Sequence, residues 1–170
     1  MDNAIPTMII GAIFLTAMAI VGRGSLQAYD DVGLSFRAME SRLFEKSTTD
    51  LSVTDASVDP TGQYVSVTLL NDGSTRIGSV EDLDVIVSYF TSLGGQSNLW
   101  LPFEASGLTA NTWSLVTILN DDLEPGILNP GESAQLLLNL SPGVAVGPSN
   151  SLVISTEIGA TTAASFSRLV

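Results

Sequence analysis

The side chains that could do chemistry in this 170-residue chain are almost entirely carboxylates. Eighteen Asp and Glu residues stand against six Lys and Arg residues, and there is no histidine and no cysteine. A Ser-His-Asp or Cys-His mechanism, a thiolate metal site and a disulfide are therefore all excluded. What remains is a cation site built from oxygen ligands or a pair of catalytic acids.

Two clusters of carboxylates could bind a cation. One is the run NDDLE at residues 120–124, and the other consists of Glu81, Asp82 and Asp84. Neither has the glycine and the 12-residue spacing of an EF-hand calcium loop. Nothing in the sequence indicates a cleft that would hold two catalytic carboxylates at a set separation. We interpret both clusters as solvated acidic loops, and we predict a non-enzyme that has no cofactor and no metal.

Charge divides the chain at about residue 48. Residues 1–48 carry four basic and five acidic groups, a net charge of −1, whereas the remainder carries thirteen acidic and two basic groups, a net charge of −11. A surface this acidic repels nucleic acid and anionic lipid. We therefore expect no nucleic-acid partner, and we predict two parts, residues 1–48 and residues 49–170.

The N-terminal part begins with a charge-free run of 18 residues at 4–21, AIPTMIIGAIFLTAMAIV, which is long enough to span a membrane. A signal peptide would place basic residues before the run, where the sequence has Asp2 and neither Lys nor Arg. A lone membrane anchor fits the length. The basic residues that begin at Arg23 would then favour a cytoplasmic side for the rest of the chain.

A third interpretation, which we favour, is a helix buried in a bundle made by many copies of this chain. A helix that is apolar on all sides must be covered on all sides, by lipid before assembly and by other helices after it. Small residues such as Gly11 permit close helix approach, and the Thr7 and Thr16 hydroxyls can bond to carbonyls of the preceding turn. The side chains predicted to carry assembly are Ile5, Met8, Ile9, Ala12, Ile13, Leu15, Met18 and Ile20.

The helical pattern continues beyond this run. Apolar residues recur at a spacing of three or four, at Leu26, Tyr29, Val32, Phe36, Met39 and Leu43. We predict one long helix over residues 3–46, of about 66 Å, bent near Gly22–Gly24. The alternative is a hinge there that separates two helices.

From Asp50 the periodicity changes to two, which indicates strands. Residues 63–70 alternate so that Val65 lies on one face and Tyr64 on the other. The predicted strands are 51–58, 63–70, 83–90, 99–103, 113–119, 134–140 and 151–158. About seven short strands separated by Pro- and Gly-rich turns predict an immunoglobulin-like antiparallel β-sandwich, so the fold class is α+β. Trp100 and Trp113 are expected to pack in the core or between subunits.

One sequence motif could be modified. Asn139-Leu140-Ser141 is an N-glycosylation sequon. Because Pro142 follows directly and Asn139 lies in a predicted strand, a glycan at Asn139 is possible but not expected.

The two parts together resemble archaellins, the type IV pilin-like subunits of the archaellum. The apolar N-terminus carries one part of the resemblance, and three stretches of the head carry the rest. They are VSVTLLNDGSTRIGSVEDLDVIV (65–87), LNPGESAQLLLNL (128–140) and STEIGATTAASF (155–166). The chain departs from the pattern at Ile5, where type IV pilins commonly have glutamate.

The resemblance implies a structural subunit of an extracellular helical filament for motility. Its implied partners are further copies of itself, the membrane before assembly, and archaellum-type export and motor machinery. The family also contains membrane-anchored accessory subunits of the same design, so both roles stay open. The alternative from another class is a surface-binding β-sandwich that grips a surface-layer protein or sugar.

Overall fold

A computed structural model describes residues 4–121 and 123–169, with only the backbone described at residues 4–7. In these residues one α-helix precedes eight strands, and a short 3-10 helix (Val80–Asp82) lies between the second and third strands. Their bounds are α1 (Ala4–Thr48), β1 (Leu51–Val58), β2 (Tyr64–Asn71), β3 (Asp84–Phe90), β4 (Gln96–Leu101), β5 (Thr112–Leu119), β6 (Ser133–Asn139), β7 (Ser149–Ser155) and β8 (Thr161–Ser167). The chain divides into two compact units, Met1–Leu43 and Phe44–Val170, so the last turn of α1 belongs to the second unit.

The helix α1 is continuous over 45 residues. It passes through Gly22 and Gly24 without a break, which agrees with one long helix rather than two helices joined at a hinge. Its C-terminal turn is closed by threonine hydroxyls, because Thr48 Oγ1 donates to the carbonyl of Phe44 (2.8 Å) and Thr49 Oγ1 to that of Glu45 (2.7 Å). These hydroxyls add a second hydrogen bond to carbonyls that the backbone already pairs, as the Thr49 N–H does for the Glu45 carbonyl (2.9 Å).

The second unit is a sandwich of two four-stranded antiparallel sheets, in the orders β1-β2-β6-β5 and β4-β3-β7-β8. This order is the immunoglobulin arrangement of strands, with β4 added beside β3. The predicted α+β class and β-sandwich are confirmed. Apolar and polar residues alternate along the strands, so each sheet has one face that packs against the other sheet. In β2, Val65, Val67 and Leu69 point into the core, while Tyr64 and Ser66 point outward.

Two strands differ from their predicted bounds by two residues or more, and one strand was not in the predicted set of seven. The strand β4 begins at Gln96 rather than residue 99. The strand β7 ends at Ser155 because a turn closed by Thr156 N–H to the Ala160 carbonyl (2.9 Å) reverses the chain. The residues after that turn form β8, an eighth strand, which pairs with β7 along its whole length.

The core lies between the sheets, and Trp113 and Tyr89 are among its largest members. Trp113 is fully buried and packs edge-on against Phe103, with ring centroids 4.9 Å apart. The Tyr89 hydroxyl donates to the Pro142 carbonyl (2.9 Å), and burial raises the pKa of Tyr89. Trp100, in contrast, is 59% exposed, so only one of the two tryptophans is a core residue.

The turn between β1 and β2 is organised by one carboxylate. Asp59 accepts hydrogen bonds from the Tyr64 N–H (2.8 Å) and from both the N–H and the hydroxyl of Thr61. Burial opposes the charge of this carboxylate, but these hydrogen bonds outweigh it and lower the pKa of Asp59 below 3.8. The charged form of Asp59 therefore stabilises the folded state.

Replacing Leu136, which is buried in the central strand β6, tests the core. Leu136→Ala should lower the free energy of unfolding by about 2–5 kcal/mol, because it removes buried methyl groups and leaves a cavity. Urea unfolding of the detergent-solubilised chain, followed by tryptophan fluorescence, measures this loss. Val116→Ala, at an exposed position of β5, should change the same quantity by less than about 0.5 kcal/mol. Equal effects of the two variants would contradict the assigned core.

Replacing Asp59 tests the turn through its pH dependence. Because the pKa is lower in the folded state, wild type should exceed Asp59→Asn in stability above pH 3.8, where the unfolded carboxyl is also ionised. That excess should disappear as the pH falls through the folded-state pKa. Unfolding curves measured from pH 7 to pH 2 give the difference. Asp55→Asn, at an exposed position of β1, is measured beside it as the control for removing one carboxylate from the head.

Candidate assembly surfaces

The apolar run of α1 is exposed on every side within its own unit. From Met8 onward all its described side chains in the first unit are exposed, including most of the predicted assembly residues. These are Met8, Ile9, Ala12, Ile13, Leu15, Met18 and Ile20. The side chain of Ile5 lies outside the described residues. By length and composition α1 can also cross a membrane.

The polar groups inside this run are satisfied within the helix. Thr16 Oγ1 donates to the carbonyl of Ala12 (2.8 Å), as the sequence predicted. The same prediction for Thr7 falls on a side chain outside the described residues. Because the Thr16 hydroxyl is paired internally, its burial in lipid or among other helices leaves no donor without a partner.

The second half of α1 is exposed as well, but it is amphipathic. Its apolar stripe from Leu26 to Leu43 lies opposite a charged face that includes Asp30, Arg37 and Arg42. None of these charged groups makes an ion pair with another described residue. This part of the helix is suited to contact an apolar surface on one side and water on the other.

The last turn of α1 is held by the loop that follows β2. The Thr48 carbonyl accepts hydrogen bonds from the N–H groups of Ser74 (2.8 Å) and Thr75 (3.2 Å). The hydroxyls of Thr48 and Thr75 lie 2.6 Å apart, within hydrogen-bonding distance. The Asn-Asp-Gly-Ser motif therefore serves to fix the end of the helix to the sandwich.

A buried asparagine organises this loop. Asn71 is fully buried, and its side chain makes hydrogen bonds in both directions. Its Nδ2 donates to the carbonyls of Thr75 (2.9 Å) and Leu128 (3.0 Å), and its Oδ1 accepts from the Gly73 N–H (3.2 Å). A buried amide left without such partners would destabilise the fold, so the site requires Asn rather than an apolar residue.

The backbone of the Pro-Gly-Glu motif (residues 130–132) forms hydrogen bonds with the backbone of Asn71. The Gly131 N–H donates to the Asn71 carbonyl (2.7 Å), and the Asn71 N–H donates to the Glu132 carbonyl (3.0 Å). Glu132 is buried, and its Oε2 accepts from the Asn129 N–H (2.8 Å). Two of the motifs that carry the sequence resemblance therefore converge on one junction, which sequence reasoning did not foresee.

Carboxylates of both predicted acidic clusters make hydrogen bonds or ion pairs within the head. Asp121 accepts from the Gly126 N–H (2.9 Å), and Glu124 forms an ion pair with Arg76 (2.8 Å). Asp122 lies outside the described residues. Of the second cluster, Asp84 accepts from Trp100 Nε1 (2.9 Å). Among the described residues no three carboxylates are grouped closely enough to hold a metal ion.

The asparagine of the glycosylation sequon is buried in the head. Asn139 is 4% exposed at the end of β6, and its Oδ1 accepts from Gln63 Nε2 (3.3 Å). A glycan on a side chain with this little exposure would displace its neighbours in the folded head. The structure does not test whether Asn139 carries a glycan, which the sequence makes possible but not expected, and the burial of the side chain weighs against it.

A long helix that begins with an apolar run and precedes an immunoglobulin-like sandwich is the combination that the sequence resemblance predicted. Solved structures share this fold. The archaeal flagellum of Methanospirillum hungatei matches over 99% of this chain and 94% of its own, with a TM-score of 0.65 and 13% identity. The match therefore includes both α1 and the head.

Two further structures match over about the length of the head. The archaellum periplasmic stator protein FlaG of Sulfolobus acidocaldarius covers 69% of this chain and 99% of its own (TM-score 0.53, 18% identity). Archaeal flagellin FlaB1 of Methanocaldococcus jannaschii covers 71% and 90% (TM-score 0.51, 16% identity). No protein-family model and no curated protein sequence matches the chain. The chain therefore has the archaellin-like fold.

Replacing Gly73 tests the junction. A Cβ on Gly73 would lie 2.6 Å from the Thr48 carbonyl oxygen, so Gly73→Ala must push the helix end away. We expect a loss of about 1–3 kcal/mol in the free energy of unfolding. Gly78→Ala is the matched control, since a Cβ there meets nothing within 4 Å. Thermal unfolding by circular dichroism compares the two, and an unchanged transition in Gly73→Ala would disprove the close approach.

Proposed function

We propose that this chain is a structural, non-enzymatic subunit of an archaellum-like extracellular filament and that it polymerises through α1. The observation that carries the proposal is the apolar surface of α1, which is exposed on all sides in the described residues. Water is a poor environment for such a surface, so lipid or neighbouring helices must cover it. The proposed division of labour assigns residues 1–48 to assembly and residues 49–170 to the outer head.

The assembly mechanism is an exchange of one apolar environment for another. A subunit waits in the membrane with the run 4–21 in lipid and then transfers that run into a bundle of identical helices. Apolar burial is worth about 25 cal/mol per Å² relative to water. Leaving lipid is therefore tolerable only if the bundle covers most of the run. Small residues such as Gly11 and Ala12 permit the close approach that this coverage needs.

The outer part of the filament follows from the charge of the head. Heads with a net charge of −11 repel each other, and salt screens this repulsion beyond about 8–10 Å. The subunit is proposed to be exported to the cell surface, with archaellum-type export and motor machinery as partners. These partners are inferred from the fold relationship with an archaeal flagellum and a stator protein.

A second candidate function is a membrane-anchored accessory subunit. The observation that favours it is the fold match to the stator protein FlaG, which extends over 99% of that protein. A FlaF–FlaG stator complex matches with 19% identity. Electron microscopy of filaments sheared from the producing cells, with mass spectrometry of the purified material, separates the two roles. A major subunit dominates the filaments, whereas an accessory subunit stays with the membrane.

The substitution Ala12→Asp tests assembly through α1. A carboxylate in the middle of the run must be buried without a partner in lipid or in the bundle, so filaments should be lost. Ala38→Asp makes the same change on the charged face of α1 and should leave filament yield unchanged. Filament mass recovered by shearing, normalised to total expressed protein, is the measurement. A wild-type yield from Ala12→Asp would reject the proposal.

A further inference from the structure

The apolar stripe of α1 repeats every seven residues. Tyr29, Phe36 and Leu43 stand seven residues apart, and Val32 and Met39 each follow one of them by three. This alternation of three and four averages 3.5 residues, the period at which apolar side chains stay on one side of a supercoiled helix. It is the pattern of a helix that packs against another helix. We call these five side chains the heptad seam.

The repeat continues toward the membrane and stops toward the head. Two heptads before Tyr29 the same position holds Leu15, and Gly22 lies between them, so the repeat joins the apolar run. Three residues after Leu43 the next position of the repeat holds Lys46, whose charge ends the apolar pattern. The heptad seam therefore lies wholly in the first compact unit, which ends at Leu43.

The heptad seam is exposed within its own unit. All five of its side chains are more than half exposed, from 52% at Val32 to 77% at Tyr29. In a subunit that waits in the membrane, the run 4–21 is about 27 Å long and fills most of a hydrocarbon core of about 30 Å. Because α1 continues past this run without a break, the heptad seam then stands in water. Lipid covers the run and leaves the seam uncovered.

The membrane decides which partner is available and how it is oriented. Two copies of this chain are anchored by the same run in the same direction, so their helices meet side by side and parallel. Their runs lie at the same depth, which brings the two heptad seams level with each other. Confinement to one membrane also raises the effective concentration of each seam for the other. A second copy therefore presents a matching seam in the right place.

Charge along the helix permits this contact. The net charge of −11 belongs to residues 49–170, whereas residues 22–48 carry four basic and four acidic groups. Glu40 and Arg42 flank the heptad seam on opposite sides. In a parallel pair the side with Arg42 faces the side with the partner's Glu40, so each side of the contact combines opposite charges. Salt screens the repulsion between the two heads beyond about 8–10 Å.

We propose that this chain, while it waits in the membrane, pairs with a second copy through the heptad seam as a parallel coiled coil. This inference rests on the proposed function, because it requires copies that are held by the run 4–21 in a membrane. The bilayer surface does not cover the seam. A helix that crosses the bilayer and continues without a break cannot lay its next part flat on the lipid.

The size of the contact agrees with a pair that forms in the membrane and later separates. Tyr29 and Phe36 bury about 150–250 Å² each when they are covered, and the three aliphatic members bury about 60–120 Å² each. The heptad seam therefore buries roughly 500–850 Å² per copy, against about 800 Å² for a stable complex. A contact of this size suffices for copies confined to one membrane, and contacts in a filament can replace it.

A cysteine scan of α1 tests the pairing, because the chain has no cysteine of its own. The seam variants Val32→Cys, Phe36→Cys and Met39→Cys are expressed as full chains in the producing cells. Filaments are sheared off, and the membrane fraction is oxidised and run on non-reducing gels. A disulfide requires Cα atoms within about 7 Å, so each seam variant should give about fivefold more dimer than the controls. The matched controls are Ala38→Cys and Ser41→Cys, on the opposite side of the helix.

Mass spectrometry of the crosslinked product identifies its two chains. The inference expects two copies of this chain joined through the same position, as a parallel and level pair requires. Three results would overturn it. They are equal dimer yields at seam and control positions, no dimer in the membrane fraction, and a seam cysteine joined only to another polypeptide.

The substitution Phe36→Asp measures the contribution of the seam. Made together with Val32→Cys, it places a carboxylate in the middle of the contact, so the dimer yield should fall roughly tenfold. Ser41→Asp, made in the same background, is the matched control and should keep the yield. Both variants should enter the membrane equally, since neither changes the run 4–21. Equal dimer yields from the two variants would refute the assignment.

The outcomes separate the two proposals. If filaments from wild-type cells contain this chain but membrane-held copies form no seam dimer, the inference fails and the proposed function stands. If seam dimers form but no filament contains this chain, the role of filament subunit fails. In that case the pairing of membrane-held copies through the heptad seam is still supported.

Discussion

The structure depends on one constraint, which is that the apolar surface of α1 must be covered by something other than water. The 18-residue run without a charge carries no side chain that would favour a solvated surface, and its one described hydroxyl, that of Thr16, is bonded within the helix. Lipid and a bundle of identical helices both meet the constraint, because both are apolar. An α-helix can enter either environment, since its backbone hydrogen bonds are made within the helix. A filament subunit that begins in a membrane uses the two environments in turn.

A long helix is useful for assembly only if its end is fixed to the head. Here the last turn of α1 is bonded to the loop after β2, in a network that Asn71 organises. The amide of Asn71 bonds to two chain segments at once, and the Thr48 carbonyl takes two N–H groups from the loop after β2. Such a network is sensitive to its geometry, since every buried polar group must keep its partner. This sensitivity explains why Gly73 is needed where the backbone segments approach most closely.

The head carries a large negative charge on a small sandwich. Its carboxylates are concentrated in loops and turns, where water solvates them and where several, such as Asp59 and Asp121, accept backbone hydrogen bonds. On the described strands carboxylates occur at Asp55 and Asp84, one on each sheet. Most of the charge of the head is therefore solvated by water.

Local patterns in the sequence determined much of this protein. The charge-free run, the change of period at Asp50 and the turn residues predicted a long helix and a β-sandwich, because helix and strand periodicities depend on neighbours a few residues away. Only the tertiary structure determined the strand register and the contacts between residues far apart in the sequence. The strand β4 begins with polar residues, so the sequence pattern did not predict where it starts. The register that aligns Trp100 with Ile86 was therefore not predicted. The meeting of Asn71 with Leu128 joins residues 57 positions apart. Contacts at that separation are set by how the sheets pack together, and no short stretch of sequence specifies them.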